Sequence, residues 1–163
     1  MYAGVFDPPT MAHMEIIESA LRILDQLVVV VSFNPNKAGT LFTPEERVEM
    51  LQASLSPATR RFVRVTAHAG LTAPFAESLG ACVLVRGMRP YADADAEIAL
   101  AFMNERLAPE LPTMLLVTSA KNVYLSSTFV RETATLGHMI VPGVVPPPVE
   151  EVLRKRFATQ QSS

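Results

Sequence analysis

The sequence predicts an α/β fold of the doubly wound, Rossmann-like kind, a parallel sheet with helices on both faces. Three observations predict it. Short β-branched runs alternate with helix-period segments along the 163 residues. Those runs are continuously apolar, as strands covered on both faces are. Strand–helix alternation of this kind closes through right-handed crossovers into one sheet. The strand runs are LVVVVSF (27–33), RFVRVTA (61–67), ACVLVR (81–86) and TMLLVTS (113–119).

The helices follow in order. MAHMEIIESALRIL carries Met14, Ile17, Leu21 and Leu24 at helical spacing. TPEERVEMLQASL opens with Thr43 as N-cap, Pro44 at the first helical position and Glu46 reaching back. TAPFAESLG ends on Gly80, a natural C-cap. DADAEIALAFMNERLAPEL is acidic at its start, as the helix dipole prefers. Ile98, Leu100, Ala101, Phe102 and Met103 make that helix apolar on several faces, which suits deep burial, a ligand channel or another subunit. STFVRETATLG starts on serine and closes at Gly137, and PPPVEEVLRKRF makes a last helix. One domain over 1–163 is expected, with 158–163 as a disordered tail.

Composition excludes several classes. A net charge of -2 provides no basic field for nucleic acid. The longest apolar runs are strand-sized and too short to span a bilayer, and no secretory signal pattern opens the chain, so a cytoplasmic protein is expected. The one cysteine, Cys82, reads as a buried small hydrophobe inside ACVLV. There is no Cys/His cluster with metal-ligand spacing. His68 and His138 read as surface or partly satisfied side chains.

In sheets of this kind ligands sit beyond the carboxyl ends of the strands. The polar motifs GVFDPPTMAH, SFNPNK, VRGMR and TSAKNVYLSST fall at those ends. In the first, Gly4 would let a ligand approach the backbone, Asp7-Pro8-Pro9 fixes a turn and Thr10 caps a helix. His13 then lies in the first helical turn, where it could donate to a phosphate oxygen gaining charge. Its alternative is a solvent-facing histidine. Lys37 sits in a loop rich in turn formers, where most lysines are merely solvated. Arg86 and Arg89 flank Gly87 after a strand; they suit phosphate oxygens, or structural salt bridges to Asp93, Asp95 or Glu97. LSST offers hydroxyls and backbone N–H groups at a helix start. Together these groups suit a polyphosphate, with neither a Walker loop nor a G-x-G-x-x-G.

FDPPTMAH, NPNK, LFTPEERVEM, VRGMR, MNERLAPEL and LSSTFVRE, in this order and spacing, resemble bacterial phosphopantetheine adenylyltransferases of the T/H-x-G-H nucleotidyltransferase superfamily. The resemblance implies adenylyl transfer from ATP to 4′-phosphopantetheine, giving dephospho-coenzyme A and pyrophosphate, with no covalent intermediate. It implies that His13 stabilises charge on the α-phosphate and that Lys37 and Arg86 hold the attacking phosphate. ATP contacts would come from Val5, Phe6, Gly87, Met88, Arg89 and Glu97, and from Asn122, Val123, Tyr124, Leu125, Ser126, Ser127 and Thr128. Acceptor contacts would come from Val5, Thr72, Leu100, Met103 and Asn104. It further implies Mg2+ arriving with ATP, a homohexamer and coenzyme A as a possible feedback ligand. Departures from the family pattern are Val5 for a hydroxyl residue, Ala12 for the signature glycine, Ala94 and Ala96 in place of an aromatic-bearing segment, and, ahead of Tyr2, either a true start upstream of Met1 or a stunted first strand. The rival readings are a nicotinate-mononucleotide adenylyltransferase or cytidylyltransferase-like enzyme, and a non-catalytic nucleotide-binding paralogue.

Overall fold

A computed structural model describes residues 1–36, 39–90, 92–136 and 142–158. Lys37, Gly137, His138 and the tail from 159 onward lie outside the described residues. The elements run β1 (Tyr2–Gly4), α1 (Met11–Ala20), β2 (Leu27–Phe33), α2 (Pro44–Ser54), α3 (Pro57–Arg60), β3 (Val63–Ala69), α4 (Thr72–Ser78), β4 (Leu84–Met88), α5 (Ala94–Leu107), β5 (Thr113–Val117), α6 (Ser127–Thr135) and α7 (Pro147–Ala158).

The five strands form one parallel sheet in the order β3-β2-β1-β4-β5. Its direction of growth reverses between β1 and β4, and that reversal makes a crevice at the carboxyl ends of the central strands. β1 is short yet central. Tyr2 pairs with Val29 on one side and with Val85 on the other, and the Met1 amino group donates to the Val83 carbonyl at 2.7 Å.

Alternate residues of the strands face opposite layers. Tyr2, Val29, Val31 and Val85 pack with Met14, Ile16 and Ile17 of α1 and with Leu51 of α2. Ala3, Val30 and Leu84 pack with Ala73 and Ala76 of α4 and with Ala108 and Leu111 beyond α5. Burying one such side chain stabilises the fold by about 1.5–3 kcal/mol, so the central runs anchor both layers. A third cluster, including Phe42, Met50, Val130, Val149 and Leu153, joins α2, α6 and α7.

The expected caps of α2 and α4 are present. Thr43 Oγ1 accepts from Glu46 N at 3.2 Å while Glu46 Oε2 accepts from Thr43 N at 2.7 Å. Gly80 follows α4 with φ 66°, the left-handed conformation that favours glycine. Several bounds differ from expectation. β3 begins at Val63, because Arg61 and Phe62 turn out of α3, and it continues to Ala69 opposite Phe33 of β2. β4 begins at Leu84 and includes Gly87 and Met88, which β5 draws into register opposite Leu116 and Val117. Cys82 therefore sits ahead of the strand, and it is exposed rather than buried. α5 is not deeply buried: Phe102 is 64 % and Met103 57 % exposed, and only Asn104 is buried. His68 is half-buried and stacks on Phe75 with ring centroids 3.7 Å apart. Among the described residues no helix is long and apolar enough to cross a membrane.

Candidate active site

The β1–α1 turn builds one wall of the crevice. Phe6 holds φ 52°, an uncommon conformation for a bulky residue. Its ring is 2 % exposed and meets Tyr2 and His13 edge-on, with centroids 5.3 and 5.0 Å away. A Cβ on Gly4 would stand 2.9 Å from that ring. Gly4 does line the crevice, but the space it leaves is filled by Phe6 and not by an approaching ligand. Asp7 is buried and accepts from the backbone N–H groups of Leu41 (2.8 Å) and Phe42 (2.9 Å), while Arg131 Nη1 donates to its carbonyl at 2.5 Å. Its carboxylate thus ties the turn to the loop before α2.

His13 occupies the third position of α1, where the Thr10 backbone N–H donates to its Nδ1 at 2.9 Å. A ring nitrogen that accepts carries no proton, so this bond assigns the proton to Nε2. The ring takes the place that glutamate has in an ordinary capping box. Burial, reinforced by the nearby charges of Arg89 and Arg86, pushes its pKa down to about 4. His13 is therefore a neutral donor near neutral pH.

The opposite wall comes from β4 and α5. Arg86 Nε and Nη2 donate to the two carboxylate oxygens of Glu97 at 2.7 and 2.8 Å, and Nη1 donates to the Ala3 carbonyl at 2.5 Å. Arg89 makes a matching fork with Asp93, both bonds 2.6 Å. Burial opposes the charge of Arg86, but Glu97 outweighs it and keeps the guanidinium pKa above its ordinary value. The salt-bridge alternative read from the sequence is thus realised for both arginines. Each still faces the crevice with guanidinium hydrogens beyond those its carboxylate takes. Gly87 lies between them because a Cβ there would stand 2.8 Å from Ile16 Cγ1.

The third wall is the start of α6. Ser126 Oγ accepts from Phe129 N at 3.1 Å, and Ser127 Oγ donates to the Pro8 carbonyl at 2.7 Å, which fastens α6 to the β1–α1 turn. The amino ends of two helices, α1 and α6, therefore open on one crevice of about 260 Å3. Unpaired N–H groups and helix dipoles make such ends favourable to anions.

The crevice brings together Val5, His13, Arg86, Gly87, Met88, Arg89, Glu97, Leu125, Ser126, Ser127 and Thr128. Phe6 lies behind its wall. Asn122 is buried against α1, and Tyr124 stands 86 % exposed at the rim. Thr72, Leu100, Met103 and Asn104 do not line this crevice, and Lys37 lies outside the described residues. A second cavity of about 750 Å3 adjoins Val5 and is lined by Ser32, Asn34, Thr40 and Arg47 among others. Val5 lines both, and Arg47 Nη1 donates to its carbonyl at 2.8 Å. Sequence reasoning missed Arg47, which is 1 % exposed. It also missed Glu15 and Arg131, whose partners are distant in the chain. Ile16, Tyr2 and Thr118, also on the crevice, carry no sequence signal beyond lying at or near strand ends and on α1.

A family model for cytidylyltransferase-like proteins matches residues 1–133. A phosphopantetheine adenylyltransferase of a Synechococcus strain is 45 % identical over 157 residues, covering 96 % of each chain. That of Geobacter sulfurreducens is 40 % identical, covering 97 % of this chain and 94 % of its own. A solved chain from Vibrio parahaemolyticus, assigned provisionally as a nicotinate-nucleotide adenylyltransferase, superposes with a TM-score of 0.63 over 93 % of this chain and 95 % of that one. At 18 % identity that likeness concerns the fold alone.

Proposed function

The chain belongs to the phosphopantetheine adenylyltransferase family, and from that premise we infer how its crevice transfers an adenylyl group from ATP to 4′-phosphopantetheine. One observation carries the reading: the neutral Nε2–H of His13, two arginines and two helix amino ends converge on a single small crevice.

The triphosphate lies across the amino ends of α1 and α6. Ser127, Thr128 and Arg89 take the outer phosphates, and His13 Nε2–H donates to a non-bridging oxygen of the α-phosphate. The base is then directed to the rim that carries Tyr124 and Leu125. The acceptor enters from the Val5 side, with Arg86 and Lys37 orienting its phosphate and the cavity beside Val5 receiving its arm; Thr72, Leu100, Met103 and Asn104 would complete that arm's wall. An acceptor phosphate oxygen forms a bond to the α-phosphorus. The bond from that phosphorus to the bridging oxygen breaks, and pyrophosphate leaves with the electron pair. No side chain has to remove a proton, because the attacking phosphate is already anionic. Catalysis is positioning plus charge stabilisation.

Magnesium fits as part of the substrate. Asp93 and Glu97, the carboxylates on the crevice, are both forked to arginines, and among the described residues no group of three or more His, Cys, Asp or Glu could hold an ion. Its ligands would be phosphate oxygens and water, where it neutralises phosphate charge. A homohexamer is the assembly we propose, with the exposed apolar side chains of α5 at its contacts and 1–163 acting as one domain. Coenzyme A, which contains the product, is the proposed feedback ligand of the same crevice, and the cytoplasm the proposed compartment.

The test is pyrophosphate release from magnesium-ATP, with 4′-phosphopantetheine and nicotinate mononucleotide offered as acceptors. Release with the first alone is expected. Release with the second would overturn the acceptor assignment, and silence with both while ATP still binds would make the protein a non-catalytic nucleotide binder.

A further inference from the structure

One carboxylate near the crevice has no part in the chemistry above. Glu15 lies on α1 two residues beyond His13. Its Oε1 accepts the Ser119 backbone N–H at 2.9 Å and its Oε2 accepts the Asn122 side-chain amide at 2.6 Å. Burial pushes this carboxyl up, yet the bonds from Asn122 and Ser119, with the charge of Lys121, hold it below the ordinary carboxylate range. Glu15 is thus a charged acceptor at neutral pH, the stronger kind of partner.

Its partners belong to the segment between β5 and α6. Thr118 N donates to the Met88 carbonyl at 3.0 Å at the start of that segment, and Ser127 holds its far end. Between them, Asn122 N donates to Ser119 O and Leu125 N to Asn122 O, both within the loop. Among the described residues Glu15 is the only hydrogen-bonded link from residues 119–124 to another element. Ser119, Ala120, Lys121 and Tyr124 are exposed and only Asn122 is buried, so apart from Asn122 little packing holds the loop. A segment with few buried contacts opens at low free energy unless something ties it down.

We propose that Glu15 is a positioning residue for the nucleotide, fixing the loop that receives the base to the helix that carries His13. The inference rests on the adenylyl-transfer reading. One rigid helix then holds both ends of the recognition. The loop meets the base while His13, less than a turn away, meets the α-phosphate, so the base places the phosphorus against its donor. A ligand made of phosphate alone does not use the tether.

The test is calorimetric binding of ATP and of inorganic tripolyphosphate to the wild type, Glu15→Ala and Glu15→Gln. Glu15→Ala should weaken ATP on the order of tenfold, as loss of a hydrogen bond to a charged group does, and leave tripolyphosphate within twofold. Glu15→Gln should recover most of the affinity, since its amide can serve both partners once the Asn122 amide turns over. Weakening of both ligands together, or of neither, would overturn the proposal, as would failure of Glu15→Gln to recover. Because these are equilibrium measurements without any acceptor, they stand even if the acceptor assignment fails; that failure would show only in the pyrophosphate assay.

Discussion

At the scale of single residues, the proposed chemistry turns on the state of His13. A neutral donor can strengthen its bond as the α-phosphate oxygens gain charge, and its value lies in the transition state. His13→Ala should lower kcat by about 100- to 1000-fold with a much smaller change in ATP affinity, measured by pyrophosphate release and equilibrium binding. The same side chain links stability to pH. Its pKa is about 4 in the fold against the ordinary 6.5, so the unfolded chain takes up the proton first. Its contribution is complete above about pH 6.5 and is lost as pH falls toward 4, on the order of 3 kcal/mol. His13→Gln keeps a capping-box acceptor at this position and cannot titrate. Melting temperatures of the two proteins should therefore diverge between pH 7 and pH 4, the wild type falling more steeply. Val5 is the other informative residue: at 53 % exposed it meets both cavities with no donor. Val5→Thr should lower the KM for phosphopantetheine several-fold, by about the 1 kcal/mol of one added hydrogen bond; an unchanged KM would show that other groups already hold that phosphate.

At the scale of elements, the packing of α1 on β4 sets the crevice's width. Ile16 sits where a Cβ on Gly87 would be, with the Tyr2 hydroxyl 3.3 Å away. Gly87→Ala should cost about 1–3 kcal/mol by forcing α1 outward, and kcat should fall because His13 moves with the helix. Denaturant unfolding and kinetics on the same preparation check both. Four of the five strands, their parallel class and most helices were legible in sequence, because continuous apolar runs and capping residues are local signals; the three residues of β1 are too short a run to announce themselves. What escaped depends on partners distant in the chain. Nothing local announces that Gly87 and Met88 extend β4 or that Cys82 precedes it, since β5 supplies that register. His13, Arg86 and Ser127 were legible as residues of the crevice because their motifs fall toward the carboxyl ends of strands, although Arg86 lies inside β4. That Glu97 and Asp93 would take one side of each arginine was only one of two readings, and Glu15, Arg47 and Arg131 could not be found without the three-dimensional contacts.

At the scale of the whole molecule, the sheet is open, with β3 and β5 at its edges, and α5 leaves Ile98, Phe102, Met103 and Leu107 in contact with solvent. Exposed apolar side chains concentrated on one helix mark an association surface. Phe102→Glu should convert the proposed hexamer to smaller species by light scattering, while the crevice, which α5 meets through Glu97 in its first turn and not through Phe102, retains ATP binding. An unchanged mass would place the contacts elsewhere.

The position of β1 has a consequence for how the chain reaches this state. Its three residues form the middle of the sheet, and Met1 is bonded to Val83, 82 positions away. β2 and β3 can associate after a comparatively local crossover, but β1 is enclosed only once β4 has arrived. Closing so long a loop is entropically costly before its contacts repay it. On this topology the crevice between β1 and β4 is expected to assemble after the pairing of β2 with β3, so that a sheet precedes a site.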